Sequence, residues 1–331
     1  MNQTYKFSAY PTFSLHHQPL TVTSKNSVFG LPHRDYDFYN LMSVLTNSYD
    51  RETAIYNFIT NLKADLNITE LSEMFDCMYM FAAPTSGDSL INWVNPNQYN
   101  CTLNGTVGTG ALSMRFTPNR GWNCNGLSTS TFLNTNFNPY NINCNFNGNI
   151  NSDINNIGGS FGIYLNNYFF NLAGDFYIMG ATSGTTSGSP IILAPRNGGS
   201  DYIFGCQNTT RFNVNQYTSC LQGLEGGLIS VVKPSFSLVQ LFYNGNLVQN
   251  KNLAGSFTTT FDAGPILIGG INLNATGSTT TPLNTNSRSV AQITFVYIGS
   301  NKIKPDIVFR RLQEYLISIN GSTFITASRL S

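Results

Sequence analysis

Ser237-Leu238-Val239-Gln240-Leu241-Phe242-Tyr243-Asn244-Gly245-Asn246-Leu247-Val248 decides the fold class of this chain. Asn244 and Gly245 both tolerate the positive φ of a type I′ turn, and apolar runs flank them, so the stretch reads as a β-hairpin. Gln292-Ile293-Thr294-Phe295-Val296-Tyr297 has the β-branched and aromatic content of a core strand. Residues 92–297 continue in this manner, and residues 77–82 read as the first buried strand. The Asn-rich run 134–156 and the Gly/Ser/Thr run 180–188 read as long exposed loops. Helical patterns flank the β region. Asp50 is placed to cap a helix over 51–64, where Ile55, Phe58, Ile59 and Leu62 form an apolar stripe. A short helical turn is expected at 70–75. Lys304-Pro305-Asp306 opens a last helix that runs to Ile319, with Asn320-Gly321 as its C-cap.

Composition narrows the function classes. Of 331 residues only 10% are charged, with 17 Lys+Arg against 16 Asp+Glu, so neutral Asn, Ser and Thr must solvate the surface. Apolar content of 41% and a net charge of +1 fit a folded chain rather than a disordered one. No cluster of basic residues offers itself to nucleic acid; Arg310-Arg311 is the only basic doublet and is expected on a solvated helix face. No apolar run approaches the ~20 residues of a membrane helix, so no membrane insertion is expected. Met1-Asn2-Gln3-Thr4-Tyr5 lacks the basic start of a secretory signal, which points to synthesis in a cytosol. Cys77, Cys101, Cys124, Cys144, Cys206 and Cys220 form no Cys-x-x-Cys pair and are expected as free thiols.

Over residues 82–320 a series of short strings recurs in a recognisable order. They are Ser86-Gly87-Asp88-Ser89-Leu90-Ile91-Asn92-Trp93, Pro118-Asn119-Arg120-Gly121-Trp122 and Leu133-Asn134-Thr135-Asn136-Phe137-Asn138-Pro139. Ser160-Phe161-Gly162-Ile163-Tyr164, Leu193-Ala194-Pro195-Arg196, Leu241 to Asn246, Ile266 to Gly270 and Phe295 to Gly299 follow. In this order the chain resembles the concanavalin A-like (laminin G-like) jelly-roll module of tailed-bacteriophage virion structural proteins. The resemblance implies a mainly β, concanavalin A-like jelly-roll sandwich with a short helical lead-in, a C-terminal helix and an extended N-terminal arm. The corresponding divisions are an arm at 1–40, a lead-in and first strand at 41–82, the jelly roll with its terminal helix at 83–321, and a tail at 322–331. It further implies a fibre or a capsid or tail decoration protein, made in the host cytoplasm and located in the virion. Its partners would be other virion proteins (capsid or tail) and copies of itself, as a trimer or dimer.

Residues 1–40 carry Tyr5, Phe7, Tyr10 and Phe13 among the breakers Pro11, Pro19 and Pro32. They suit either an arm that attaches through those aromatics to a neighbouring virion protein or strands laid on the same domain. Arg196, Tyr202, Asn208 and Tyr217 are candidates for contact with a glycan or protein partner. A lectin-like receptor-binding protein that recognises a host surface polysaccharide is the alternative reading. Catalysis is not expected. Retaining glucan hydrolases of this fold need two carboxylates on one strand face. The glutamates here are Glu52, Glu70, Glu73, Glu225 and Glu314, none in such a pair. His16, His17 and His33 lack the spacing of a metal site, Asp153, Asp175, Asp201 and Asp262 are isolated, and no cofactor motif is found. Trp122 is read as a structural aromatic rather than a sugar platform.

Overall fold

The computed structural model describes residues 35–105, 114–125, 131–139, 144–146, 158–169, 178–181, 191–194, 204–207, 226–235, 238–252, 264–272, 282–283 and 290–320. The chain divides into two units, Met1–Arg34 and Asp35–Ser331, and every described residue belongs to the second.

Two helices precede the first strand. α1 (Tyr36–Met42) starts where Asp35 accepts a hydrogen bond from the Phe38 N–H at 3.2 Å. At seven residues it is too short to show a period in the sequence. α2 (Glu52–Leu66) buries the expected stripe of Ile55, Phe58, Ile59 and Leu62, together with Leu66. Its cap differs from expectation. Asp50 lies within a 3-10 turn (Tyr49–Arg51), and Arg51 takes the cap position without a side-chain cap bond. The Arg51 guanidinium instead donates to the Ala82 carbonyl at 2.6 Å and to Asn119 Oδ1, tying the helix start to the β region. Asn67, at φ 56°, closes the helix in the left-handed conformation. A second 3-10 turn (Leu71–Glu73) leads into the strands, α3 (Ser86–Ser89) is a single turn between them, and α4 (Pro305–Asn320) ends the described chain.

The strands form two sheets. The first holds β1 (Phe75–Met80), β3 (Met114–Thr117), β4 (Gly121–Asn125), β6 (Gly159–Phe169), β10 (Gly227–Ser235), β11 (Leu238–Tyr243), β12 (Asn246–Asn252) and β16 (Val290–Ser300). The second holds β2 (Thr102–Asn104), β5 (Phe132–Asn134), β7 (Met179–Ala181), β8 (Ile191–Ala194), β9 (Phe204–Gln207), β13 (Leu267–Ile268), β14 (Ile271–Asn272) and β15 (Pro282–Leu283). Pairing is antiparallel except between β14 and β7. In the first sheet the order is β12-β11-β10-β6-β16-β4-β3. β16 runs beside β6 along its length; on its other edge β4 covers residues 290–293 and β1 covers 295–299. The first and last of the described strands are therefore neighbours in one sheet.

One core fills the space between the sheets. Cys77, Tyr79, Trp122, Phe161, Ile163, Ile229, Val231, Val296 and Ile298 meet Leu133, Met179, Leu193 and Ile268 there. A second core lies on the outer face of the first sheet, where Met78, Met80, Tyr164, Leu228, Phe295 and Tyr297 pack under α1, α2 and α4. The result is a jelly-roll-type sandwich with a helical layer on one side. Because both faces of β1 and β16 are buried, their sequences are apolar almost without alternation. Each strand has a bulge. Asp76 is the extra residue between Phe75 and Cys77, which pair with Gly299 and Ile298, and Thr294 is the extra residue between Ile293 and Phe295. This is why Phe75 faces the helices while Cys77, two residues on, faces the other sheet.

Three further expectations need revision. The run 134–156 is not wholly an exposed loop. It continues β5, and Thr135, Phe137, Pro139, Cys144 and Phe146 are buried because their side chains or hydrogen bonds close the end of the core. In the run 180–188, Gly180 and Ala181 belong to β7 and are buried. Arg310 and Arg311 also do more than solvate a helix. Both donate to Asp65 of α2, at 2.7 and 2.6 Å, and so pair α4 with α2. Cys77 and Cys101 are buried free thiols, as expected.

Candidate functional site

The described surface presents one group of exposed aromatic side chains, on α1 and α2. Asp35 and Asp37 begin α1, and Lys63 of α2 reaches both, at 2.7 and 2.9 Å. Asp37 Oδ2 also accepts the Leu71 N–H at 3.0 Å. Burial raises the Asp37 carboxyl above its ordinary value even though Lys63 opposes the change. Burial alone would lower the Lys63 ammonium, but its bonds to Asp35 and Asp37 raise it on balance. This buried triad fixes the rotation of α1. Phe38 then points inward, while Tyr36 and Tyr39, three residues apart on one helix face, point outward with 60% and 44% of their surface exposed. Phe38 stands edge-on to Tyr39 at 5.1 Å and to Tyr56 of α2 at 5.2 Å. Tyr56 is itself 39% exposed. Neutral Asn40, Asn57 and Thr60 lie on the same two helices. Such a patch can stack on apolar faces and exchange hydrogen bonds through hydroxyls and amides. The spacing of Tyr36 and Tyr39 behind a capping Asp35 is the signal that could have marked it in the sequence.

The other polar residues that stand out are occupied in holding the fold. Asp88 accepts from the Thr46 N–H and hydroxyl, the Asn47 N–H and the Ser48 hydroxyl, at 2.9 to 3.3 Å. Fully buried Asn92 takes the N–H groups of Met78 and Val94 on Oδ1 and donates to the carbonyls of Asp76 and Gln98. Trp122 is buried and donates its indole N–H to Ser89 Oγ at 3.0 Å, so it is structural, as expected. Trp93 sits in the helical core, edge-on to Phe58 and Tyr315. Both carboxylate oxygens of Asp76 accept backbone N–H groups, from Asn145 at 2.8 Å and Phe146 at 2.7 Å. Burial pushes its carboxyl up to about 7 against the pull of those two bonds.

Among the described residues no group of three or more His, Cys, Asp or Glu is placed to hold a metal ion, and no helix is long and apolar enough to cross a membrane. Tyr5, Phe7, Tyr10 and Phe13 lie outside the described residues, as do Arg196, Tyr202, Asn208 and Tyr217. So do His16, His17, His33, Glu225 and Asp153, Asp175, Asp201 and Asp262.

No protein-family model matches the chain. No curated protein matches it either. Similar solved structures include the botulinum neurotoxin serotype D binding domain, at 14% identity over 72% of this chain and 52% of that chain, with a TM-score of 0.41. The receptor binding domain of botulinum neurotoxin D gives 15% identity over 73% and 53%, with a TM-score of 0.42. The serotype G binding domain gives 12% over 74% and 51%, with a TM-score of 0.40. This chain spans about half the length of those chains, and at such values the likeness carries no inference about what it binds.

Proposed function

We propose that the chain is a structural protein of a tailed-bacteriophage virion, of the fibre or decoration type, which acts by display and binding rather than by catalysis. The observation that carries the reading is where the phage-like strings fall. Asp88 and Asn92 join the helical lead-in and the following turn to the sandwich, Gly121 and Trp122 pair with Thr117 and Phe116 in the β3–β4 hairpin, and Thr135 and Phe137 bridge to Ile266, the residue before β13. The strings thus mark the joints of the framework, as residues shared by a structural module would. The charge-poor surface, with Asn, Ser and Thr as its solvating groups, is compatible with dense packing of many copies on a particle. In this reading Tyr5, Phe7, Tyr10 and Phe13 attach the chain to a capsid or tail protein. The test is cryo-electron microscopy of purified particles, with antibodies raised against residues 35–320 as labels. The chain is expected in the particle density at a regular position; its absence from the particles rejects the reading.

The tyrosine patch favours a second reading, a lectin-like protein for a host surface polysaccharide, since exposed tyrosines that share their helices with Asn40, Asn57 and Thr60 suit sugar faces. A glycan array probed with the full chain tests it. Binding that disappears in the Tyr36→Ala, Tyr39→Ala, Tyr56→Ala triple variant supports it, and binding to no glycan rejects it.

A further inference from the structure

The charge pattern around the tyrosine patch of α1 and α2 bears on which sugars it can take. Its rings are set before any ligand arrives. Tyr56 stands edge-on to buried Phe38 at 5.2 Å, which backs the ring while the residue remains exposed. Tyr36, the first residue of α1, has most of its surface in solvent. Covering a tyrosine freezes only two side-chain torsions, so little ordering cost opposes binding.

The ionisable groups of the two helices set the selectivity. Lys63 is the one basic residue on either helix, and it is buried against Asp35 and Asp37 at 2.7 and 2.9 Å. Arg51, just before α2, is buried as well and donates to the Ala82 carbonyl and to Asn119. Among the exposed residues of the two helices only Glu52 is ionisable; Thr53, Asn57 and Asn61, on the same helix as Tyr56, are neutral and polar. Glu52 lies one turn before Tyr56 on one helix face, and Asp50, also exposed, precedes it. A carboxylate, sulfate or phosphate carried by a sugar would find no exposed cation on either helix and would approach Glu52, where like charges repel. A neutral sugar meets no such penalty. Its C–H face can cover a tyrosine ring while its hydroxyls exchange hydrogen bonds with amides and hydroxyls of the helix.

We infer that, where the lectin-like reading holds, the patch selects neutral polysaccharides and turns away acidic ones. The test applies the full chain, at low ionic strength, to a glycan array that pairs neutral oligosaccharides with carboxylated, sulfated and phosphorylated forms of the same backbones. Neutral members are expected to bind about fivefold more tightly than their acidic counterparts. Glu52→Lys is expected to shrink that preference by about threefold or more, with circular dichroism unchanged. Equal or tighter binding of the acidic members by the unaltered chain overturns the inference and leaves the lectin-like reading standing. A preference that the folded Glu52→Lys variant leaves intact does the same. Binding to no member overturns both. Should that variant not fold, salt decides on the unaltered chain. The preference is expected to fade as ionic strength rises from about 0.01 M to about 1 M, and a preference that salt leaves unchanged overturns the inference.

Discussion

Asp76 is a carboxylate inserted by a bulge into a strand buried on both faces, and its environment has a consequence for stability. Its folded-state value of about 7 lies above the ordinary 3.8, so the folded protein holds the proton more tightly than the unfolded chain does. The stability this group contributes is therefore fully present below 3.8 and is lost as pH rises through about 7. Denaturation midpoints of the unaltered chain are expected to fall over that interval relative to Asp76→Asn, whose side chain stays neutral. Parallel pH profiles for the two proteins would sink the argument. Gly121 is constrained in a different way. Its φ is +102°, and a Cβ would lie 2.0 Å from the Ile293 carbonyl oxygen, a backbone atom that cannot step aside. Gly121→Ala is expected to cost about 1–3 kcal/mol or more in urea melts. Gly270, where an added Cβ meets nothing within 4 Å, provides the contrast: its alanine variant should stay within about 0.5 kcal/mol.

The helical layer is held by two ion-paired groups of very different worth. Lys63 and Asp37 are buried, so removing the lysine leaves an uncompensated charge inside the protein. Lys63→Ala is expected to destabilise by about 3–5 kcal/mol. The Asp65–Arg311–Arg310 group is solvent-facing, with 57% of the Arg310 side chain exposed, and Asp65→Ala should cost under about 1 kcal/mol. Equal losses in thermal melts of the two variants would refute this ranking. The same layer shows what a sequence can and cannot disclose. α2 and α4 were readable because their apolar stripes repeat over four turns of helix. α1 was not, because seven residues give the stripe no repeat and its anchor, Lys63, lies 26 residues from Asp37. The Asn244-Gly245 hairpin announces itself locally, whereas the bulges at Asp76 and Thr294 exist only through the partners those strands find. The tyrosine patch is legible only in part: the spacing of Tyr36 and Tyr39 behind Asp35 is local, whereas Tyr56 joins Phe38 only after α1 docks on α2.

Placing one sheet between two cores couples the helices to the sandwich. Phe295 and Tyr297 of β16 face the helices, while Val296 and Ile298 between and beyond them face the second sheet, so a single strand belongs to both cores. The helical layer is then a requirement of the fold rather than an appendage. Without α4, the side chains of Tyr164, Leu228, Phe295 and Tyr297 would lose the cover of Val308, Leu312, Tyr315 and Leu316, leaving an apolar sheet face in water. A chain ending at Lys304 is therefore expected to aggregate or to lose its cooperative melting transition. Residues Asp35–Ser331 form a compact unit by themselves, so a chain that begins at Asp35 is expected to keep the transition of the full protein. Differential scanning calorimetry of the two shortened chains separates the possibilities. A cooperative transition in the chain lacking α4 would mean that the sandwich stands alone, and that the outer core is an addition to it. A single transition, lost with α4 and kept without residues 1–34, would mean that α4 and the sheets fold as one piece. A surface presented by α1 and α2, such as the tyrosine patch, would in that case be held as rigidly as the strands beneath it.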